Sequence, residues 1–213
     1  MPSSNSTVSA EIEETISGYD RVAAQYAARW ESLRLERALT AFVDQLAGRR
    51  LVLDLGCGPG RDLGFLRDLG CRPLGLDRST GMLAQARLRL PRVSLVAADL
   101  RRPPFQADCF DGVWACASLL HLRRDQLPAA ITEIARLLRR PGGVFYLAMK
   151  AGQGQRWIES PGGQRAFYAF YQPGELETVL GAAGFHVVEG WLEADSAGRA
   201  ESWINLVAVL GCA

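Results

Sequence analysis

The chain has 213 residues, 48% of them hydrophobic, and its 24 basic and 23 acidic residues leave a net charge of +1. That length suits one domain with a full core. The charge balance excludes the strongly basic footprint of a nucleic-acid binder and the acidity of a solvating tail, and no apolar run is long enough to span a bilayer.

The first segment, MPSSNSTVSAE, is polar and does not read as a signal peptide, so residues 1–10 are expected to form a disordered tail ahead of a single domain over 11–213. From Glu11 to Trp30 the apolar positions Ile12, Ile16, Tyr19, Ala23, Tyr26 and Trp30 recur at helical spacing. A second helix is expected over about 33–47 with Gly48 as its cap, making residues 11–48 a helical cap. Short apolar runs then alternate with amphipathic stretches. LVLDL (51–55), RPLGLD (72–77), VSLVAAD (93–99), CFDGVWACA (109–117) and VFYLAM (144–149) read as strands. Helices are expected after Gly60, after Ser79 and over about 126–139, with Ser79 a candidate N-cap. An aromatic insert over 150–172 precedes a helix at 175–184, and the strands FHVVEGW (185–191) and SWINLVAVL (202–210) close the chain with no helix between them. The pattern predicts an α/β fold: a three-layer sandwich around a seven-stranded, mostly parallel sheet whose last strand is antiparallel.

The segment DLGCGPGRD (54–62) places Gly56, Gly58 and Gly60 at the end of the first strand, where open α/β sheets bind ligands. A dinucleotide loop wants its third glycine one residue later, where Arg61 stands, and Asp54 would repel a pyrophosphate. No Gly-Lys-Ser/Thr follows, which rules out a P-loop. A cationic ligand with hydroxyls and a free amino-acid end suits glycines beside a carboxylate. A nicotinamide dehydrogenase stays as a disfavoured alternative.

In register, LVLDLGCGPGRD, GLDRSTGML (75–83), AADL (97–100), VWACASLLHL (113–122), LLRRPGG (137–143) and the N-terminal YDRVAAQY (19–26) resemble the motifs of class I S-adenosylmethionine-dependent methyltransferases of the small-molecule branch. The resemblance implies S-adenosyl-L-methionine as cofactor and S-adenosyl-L-homocysteine as product. It implies that Asp54, Gly56, Cys57 and Gly58 line the donor's methionine end and that Asp77 binds the ribose hydroxyls. Arg78 and Met82 would border the adenine, while Asp99 and the Leu100 backbone would hold it. Ala115 and Cys116 would lie near the sulfonium, and Tyr19 and Tyr26 at the mouth. His121, after the fourth strand, is the first candidate for a general base, with a packed or capping histidine the competing reading; Lys150, the only lysine, is a second candidate base. Trp157, Arg165, Tyr168 and Tyr171 in the insert are candidate acceptor contacts, as a lid or as a patch covering the sheet edge.

Five cysteines without a CxxC pair and two distant histidines argue against a disulfide framework and a metal site, and suit a reducing cytoplasm. The arginine pairs Arg101-Arg102, Arg123-Arg124 and Arg139-Arg140 read as solvated surface. The expected activity is methyl transfer to oxygen, nitrogen or sulfur of a small-molecule acceptor, with no membrane partner and no oligomeric state assigned. A methyltransferase acting on tRNA or another nucleic acid, and a non-catalytic donor-binding module, stand as alternatives.

Overall fold

The computed structural model describes residues 10–48, 50–159, 165–195 and 202–212. The expected tail over 1–10 lies outside them except for Ala10, which begins helix α1 (Ala10–Trp30). The remaining elements run α2 (Glu36–Gln45), β1 (Leu51–Leu55), α3 (Arg61–Asp68), β2 (Arg72–Asp77), α4 (Thr80–Arg89), β3 (Ser94–Ala97) and β4 (Gly112–Cys116). They continue with α5 (Leu127–Leu137), β5 (Val144–Lys150), β6 (Gln155–Glu159), β7 (Arg165–Ala169), α6 (Pro173–Ala182), β8 (Phe185–Glu193) and β9 (Trp203–Leu210). Among the described residues no helix is long and apolar enough to cross a membrane.

Seven strands form one sheet in the order β3-β2-β1-β4-β5-β9-β8, and β6 pairs with β7 in a separate hairpin. β9 is antiparallel to both of its neighbours. It returns from β8 without a helical crossover, and a parallel strand would need one. All seven residues of β5 are buried. Val144, Tyr146 and Ala148 pack beneath α2 and α3, while Phe145, Leu147 and Met149 pack against α5 and α6. A strand covered on both faces must be continuously apolar, which is why VFYLAM shows no alternation. On the α2 side Tyr146 stacks on Trp114 with ring centroids 3.9 Å apart, and Phe42 meets Trp114 edge-on at 5.3 Å. Such contacts add about 0.5–1.5 kcal/mol each beyond their buried area.

Two expectations are corrected. The second helix starts at Glu36 rather than near Leu33, because Leu33, Arg34 and Leu35 are spent on the wall of a cavity. It also ends early: Leu46 turns extended and buries its side chain, and Gly48 lies beyond the cap. The insert over 150–172, too long for a bare loop, holds local structure in line with expectation: it carries the β6–β7 hairpin, with β7 packed on α1. At least four of the six paired arginines read as merely solvated carry defined ion pairs: Arg101 with Asp99 at 2.6 Å, Arg123 with Asp125 at 3.1 Å, Arg124 with Glu175 at 2.5 Å, and Arg139 with Asp111.

Helix α1 lies across the strand ends, and two of the contacts that tie it down are hydrogen-bonded joints, to α4 and to β7. Asp20 accepts from the Ser79 hydroxyl at 2.6 Å and from the Gly81 N–H at 2.8 Å, at the N-terminus of α4. A carboxylate there satisfies orphan donors and sits at the positive end of the helix dipole. Ser79 meanwhile caps α4 by accepting from the Met82 N–H. On the other side the Thr15 hydroxyl accepts the Phe167 N–H of β7 at 3.0 Å. Replacing Asp20 with Ala is expected to cost about 1–2 kcal/mol, on the scale of a lost helix cap. Urea unfolding measures this, and an unchanged midpoint would contradict the tie.

Candidate active site

The glycine loop after β1 is fixed by backbone bonds to β2, since Gly56 N–H and Cys57 N–H both donate to the Leu76 carbonyl, at 2.7 and 3.0 Å. Gly56 has φ +81°, and a Cβ there would stand 2.3 Å from the Cβ of Ser118, so only glycine lets the loop after β4 close over it. Gly58, at φ +52°, has nothing within 4 Å of where a Cβ would be, which leaves bare backbone at the cavity wall. Its N–H donates to Asp77 at 2.8 Å, and the Ser79 N–H donates to the other Asp77 oxygen at 2.8 Å. The tips of β1 and β2 are thus locked together around one carboxylate.

Opposite this loop, β4 ends in a bend. Ala117 adopts φ +55°, a conformation uncommon outside glycine, and its N–H donates to the Ala148 carbonyl of β5. The bend turns Ser118 over Gly56 and sets a short 3₁₀ turn, Leu119–His121, beneath α1. His121 Nδ1 lies 2.8 Å from the Phe167 carbonyl and Nε2 lies 3.0 Å from the Tyr19 hydroxyl. A carbonyl only accepts, so Nδ1 carries the proton and Nε2 accepts the Tyr19 O–H. Burial pushes the His121 pKa down to about 4, against the opposing pull of the Phe167 carbonyl, and the ring is neutral at pH 7.

These elements enclose a cavity of about 490 Å³ that runs along the strand ends under α1. Tyr19, Tyr26, Asp54, Gly56, Cys57, Gly58, Asp77, Arg78, Met82, Asp99, Leu100, Cys116 and His121 all line it. Ala115 does not. It is fully buried inside β4, and Cys116, Ala117 and Ser118 form the wall there because the strand runs one residue further before it bends. Of the four insert candidates Trp157, Arg165, Tyr168 and Tyr171, Tyr168 alone is among the lining groups. Arg165 stacks over Trp157 at 4.4 Å and pairs with Glu14 of α1, while Tyr171 lies under Arg124 at 4.3 Å. Lys150 is also outside the lining set. Its ammonium pairs with Asp195 and lies 4.1 Å from the centre of the Trp203 ring.

Arg61, Asp62 and Trp114 lie within the sequence motifs but were given no role by the sequence, and they form a charged network at the wall. Arg61 grips Asp62 through Nε at 2.6 Å and Nη2 at 2.9 Å, and the Trp114 indole donates to the same carboxylate at 3.0 Å. Burial disfavours the Arg61 charge, but Asp62 outweighs that and holds it protonated. Asp54 is almost fully buried and its Oδ2 has no partner. Burial, then the charge of Asp62, holds its carboxyl well above the usual range. Burial also raises Asp77, against the backbone donors that favour its charge. Asp99 behaves oppositely: despite burial, the Arg101 guanidinium gripping it keeps it below the usual range.

Residues 52–143 match the family model for a methyltransferase domain. A malonyl-[acyl-carrier protein] O-methyltransferase from Enterobacter lignolyticus is 38% identical over 129 residues, which are 60% of this chain and 49% of the relative. A demethylmenaquinone methyltransferase from Beutenbergia cavernae is 36% identical over 110 residues, 51% of this chain and 45% of the relative. The chain therefore spans about half the length of the curated relatives it matches. Among solved structures, a Burkholderia thailandensis 1,6-didemethyltoxoflavin-N1-methyltransferase with bound S-adenosylhomocysteine superposes with a TM-score of 0.71, covering 97% of this chain and 93% of that one at 23% identity. The fold is that of the solved methyltransferases it superposes on, and residues 52–143 match a methyltransferase domain, whose cofactor is represented in the superposed structure by bound S-adenosylhomocysteine.

The chemistry of the wall suits that cofactor. An unpartnered carboxyl and a buried guanidinium flank the same bare glycine loop, which complements the ammonium and carboxylate of an amino acid. A cation bound beside Asp54 favours its ionised form, so binding should release a proton. The affinity for S-adenosylhomocysteine is therefore expected to rise with pH across the range in which Asp54 is still protonated in the free protein, above the usual carboxylate range. Calorimetry in buffers of different ionisation enthalpy should detect the released proton, and Asp54→Asn should abolish it. Proton uptake, or a release unchanged in the variant, would contradict this role.

Proposed function

We propose that the chain transfers the methyl group of S-adenosylmethionine by direct displacement to a nucleophile on a small-molecule acceptor. The observation that carries this reading is the pairing of Asp54 and Arg61 around the glycine loop, with Asp77 and Asp99 placed in order along the tips of β2 and β3. When bound, the cofactor supplies a methyl group already activated by its sulfonium. The chain's own residues then have to hold, orient and dehydrate. Asp77 presents its carboxylate to the ribose, Met82 and Leu100 offer apolar contact to the adenine, and Asp54 and Arg61 hold the amino-acid end. Positioning of this kind can correspond to effective molarities of about 10⁵ M or more.

The acceptor side carries Tyr19 and His121. His121 faces Tyr19 rather than open space, so a proton leaving the acceptor passes through the Tyr19 hydroxyl to Nε2. The Phe167 carbonyl holds the imidazole in the tautomer that can receive it. A base with its pKa near 4 receives a proton only as the new bond forms. That suits an acceptor which is already a fair nucleophile. The relatives' names support a small acceptor but differ in it, one being an O-methyltransferase and another an N1-methyltransferase.

Asp77→Ala is expected to weaken S-adenosylhomocysteine binding at least about tenfold, the loss of charge-assisted hydrogen bonds. Calorimetry showing unchanged affinity in a folded variant would overturn the donor assignment. Tyr19→Phe and His121→Gln should lower kcat while leaving donor affinity within about twofold, because neither holds the donor. Equal turnover in both variants and the parent would remove the pair from the reaction.

A further inference from the structure

The cavity is longer than the donor half just described. It continues past β4 to the tips of β5 and β9, where Trp30, Leu33, Leu35, Tyr146, Trp203 and Asn205 line it. β9 stands three strands from β1 on the side away from Asp77, about 14 Å at ordinary strand spacing. Donor and far wall therefore occupy opposite halves of the same cavity, with Tyr19 and His121 on the β4 segment between them.

The far half is aromatic and nearly neutral. Its buried carboxylate, Asp195, is already matched by Lys150, and Asp62, towards the donor half, is matched by Arg61. Glu193 and Arg34 also line it, but both are exposed at the rim. One group stands out. Asn205 is a lone amide in the apolar strand WINLVAVL, only 3% exposed. The Tyr146 hydroxyl donates to its Oδ1 at 2.7 Å, and Tyr146 is itself fixed by stacking on Trp114. With Oδ1 engaged, Nδ2 is a buried donor without a partner at the cavity wall. An unpaired donor in a low-dielectric site costs stability, so the geometry leaves it to a ligand.

We propose that the β5–β9 half of the cavity is the acceptor chamber and that it selects an uncharged, planar ring molecule, holding it by a hydrogen bond from Asn205 Nδ2 to a carbonyl oxygen or ring nitrogen. Trp30, Trp203 and Tyr146 supply flat apolar surface. Among the described residues the matched ion pairs leave no free buried charge to recognise an ionised substrate. Tyr146 is a positioning residue, since its hydroxyl sets which end of the Asn205 amide is offered. The inference rests on the methyltransferase reading, because that reading places the donor in the other half.

The test uses two probes of the same shape, quinoline and naphthalene, which differ in one ring nitrogen. Their affinities are measured by fluorescence titration, with the full chain saturated with S-adenosylhomocysteine, for the parent and for Asn205→Leu. The ratio of the two affinities should shift by about five- to tenfold towards quinoline in the parent relative to the variant, the scale of one hydrogen bond to an otherwise unpaired donor. An equal ratio in both proteins would overturn the role of Asn205. A crystal structure of the parent with S-adenosylhomocysteine and quinoline gives a second reading that needs no variant. The ring nitrogen should lie within hydrogen-bond distance of Asn205, and quinoline seated elsewhere would reject the chamber. Failure of S-adenosylhomocysteine to bind at the outset would instead reject the methyltransferase reading, which separates the two claims.

Discussion

The docking of α1 across the strand ends is the constraint on which the site depends. Without that helix the tips of β1, β2, β4 and β5 would form an open ledge in water. Asp20 fastens it to the N-terminus of α4, and Thr15 fastens it to the β6–β7 hairpin. Gly81 is part of the same joint, because a Cβ there would meet Asp20 at 3.0–3.2 Å. Once α1 is in place, Tyr19 and Tyr26, seven residues and two turns apart, stand on one face with their rings edge-on at 5.5 Å. Tyr19 then closes the chain of hydrogen bonds through His121 to Phe167, and the hairpin becomes part of the wall through Tyr168.

Burying this many charges would be costly if they were single. The structure answers with pairs: Arg61 with Asp62, Arg101 with Asp99, Lys150 with Asp195. The polar atoms left over are therefore informative. Among those that line the cavity are Asp54 Oδ2 and Ser118 Oγ beside the glycine loop, and Asn205 Nδ2 in the far half; the Tyr171 hydroxyl and the Trp191 indole also lack hydrogen-bond partners but lie outside its lining. In the proposed reading the cavity-lining atoms lie where two different ligands would meet the wall, one half matching a zwitterion and the other neutral and aromatic.

Much of this was legible in the sequence because it depends on local pattern. Continuous apolar runs with turn residues between them marked the strands, and the glycine spacing with Asp54, Asp77 and Asp99 marked residues that line the cavity. The family resemblance placed Tyr19 and Tyr26. What escaped depends on contacts between distant segments. Nothing local says that Trp114 will donate to Asp62, that Lys150 will be consumed by Asp195, or that the insert will fold as a hairpin against α1. Ala115 was placed on the wall because strand ends are uncertain by a residue or two, and one residue is enough to turn a side chain from cavity to core. Asn205 did carry a signal, a single amide within an otherwise apolar strand run. Its meaning appears only when β9 is seen to insert beside β5 and bring it under Tyr146.

The central claim is that the cavity's donor half is built for a sulfur nucleoside with an amino-acid end. Thermal unfolding of the purified chain with S-adenosylmethionine, S-adenosylhomocysteine and NAD, side by side, tests it most directly. At a hundredfold excess over the dissociation constant a native-state ligand adds about 2.7 kcal/mol, or roughly 5–10 °C for a chain of this size. The account predicts that rise with both sulfur nucleosides and none with NAD. A rise with NAD alone would contradict it.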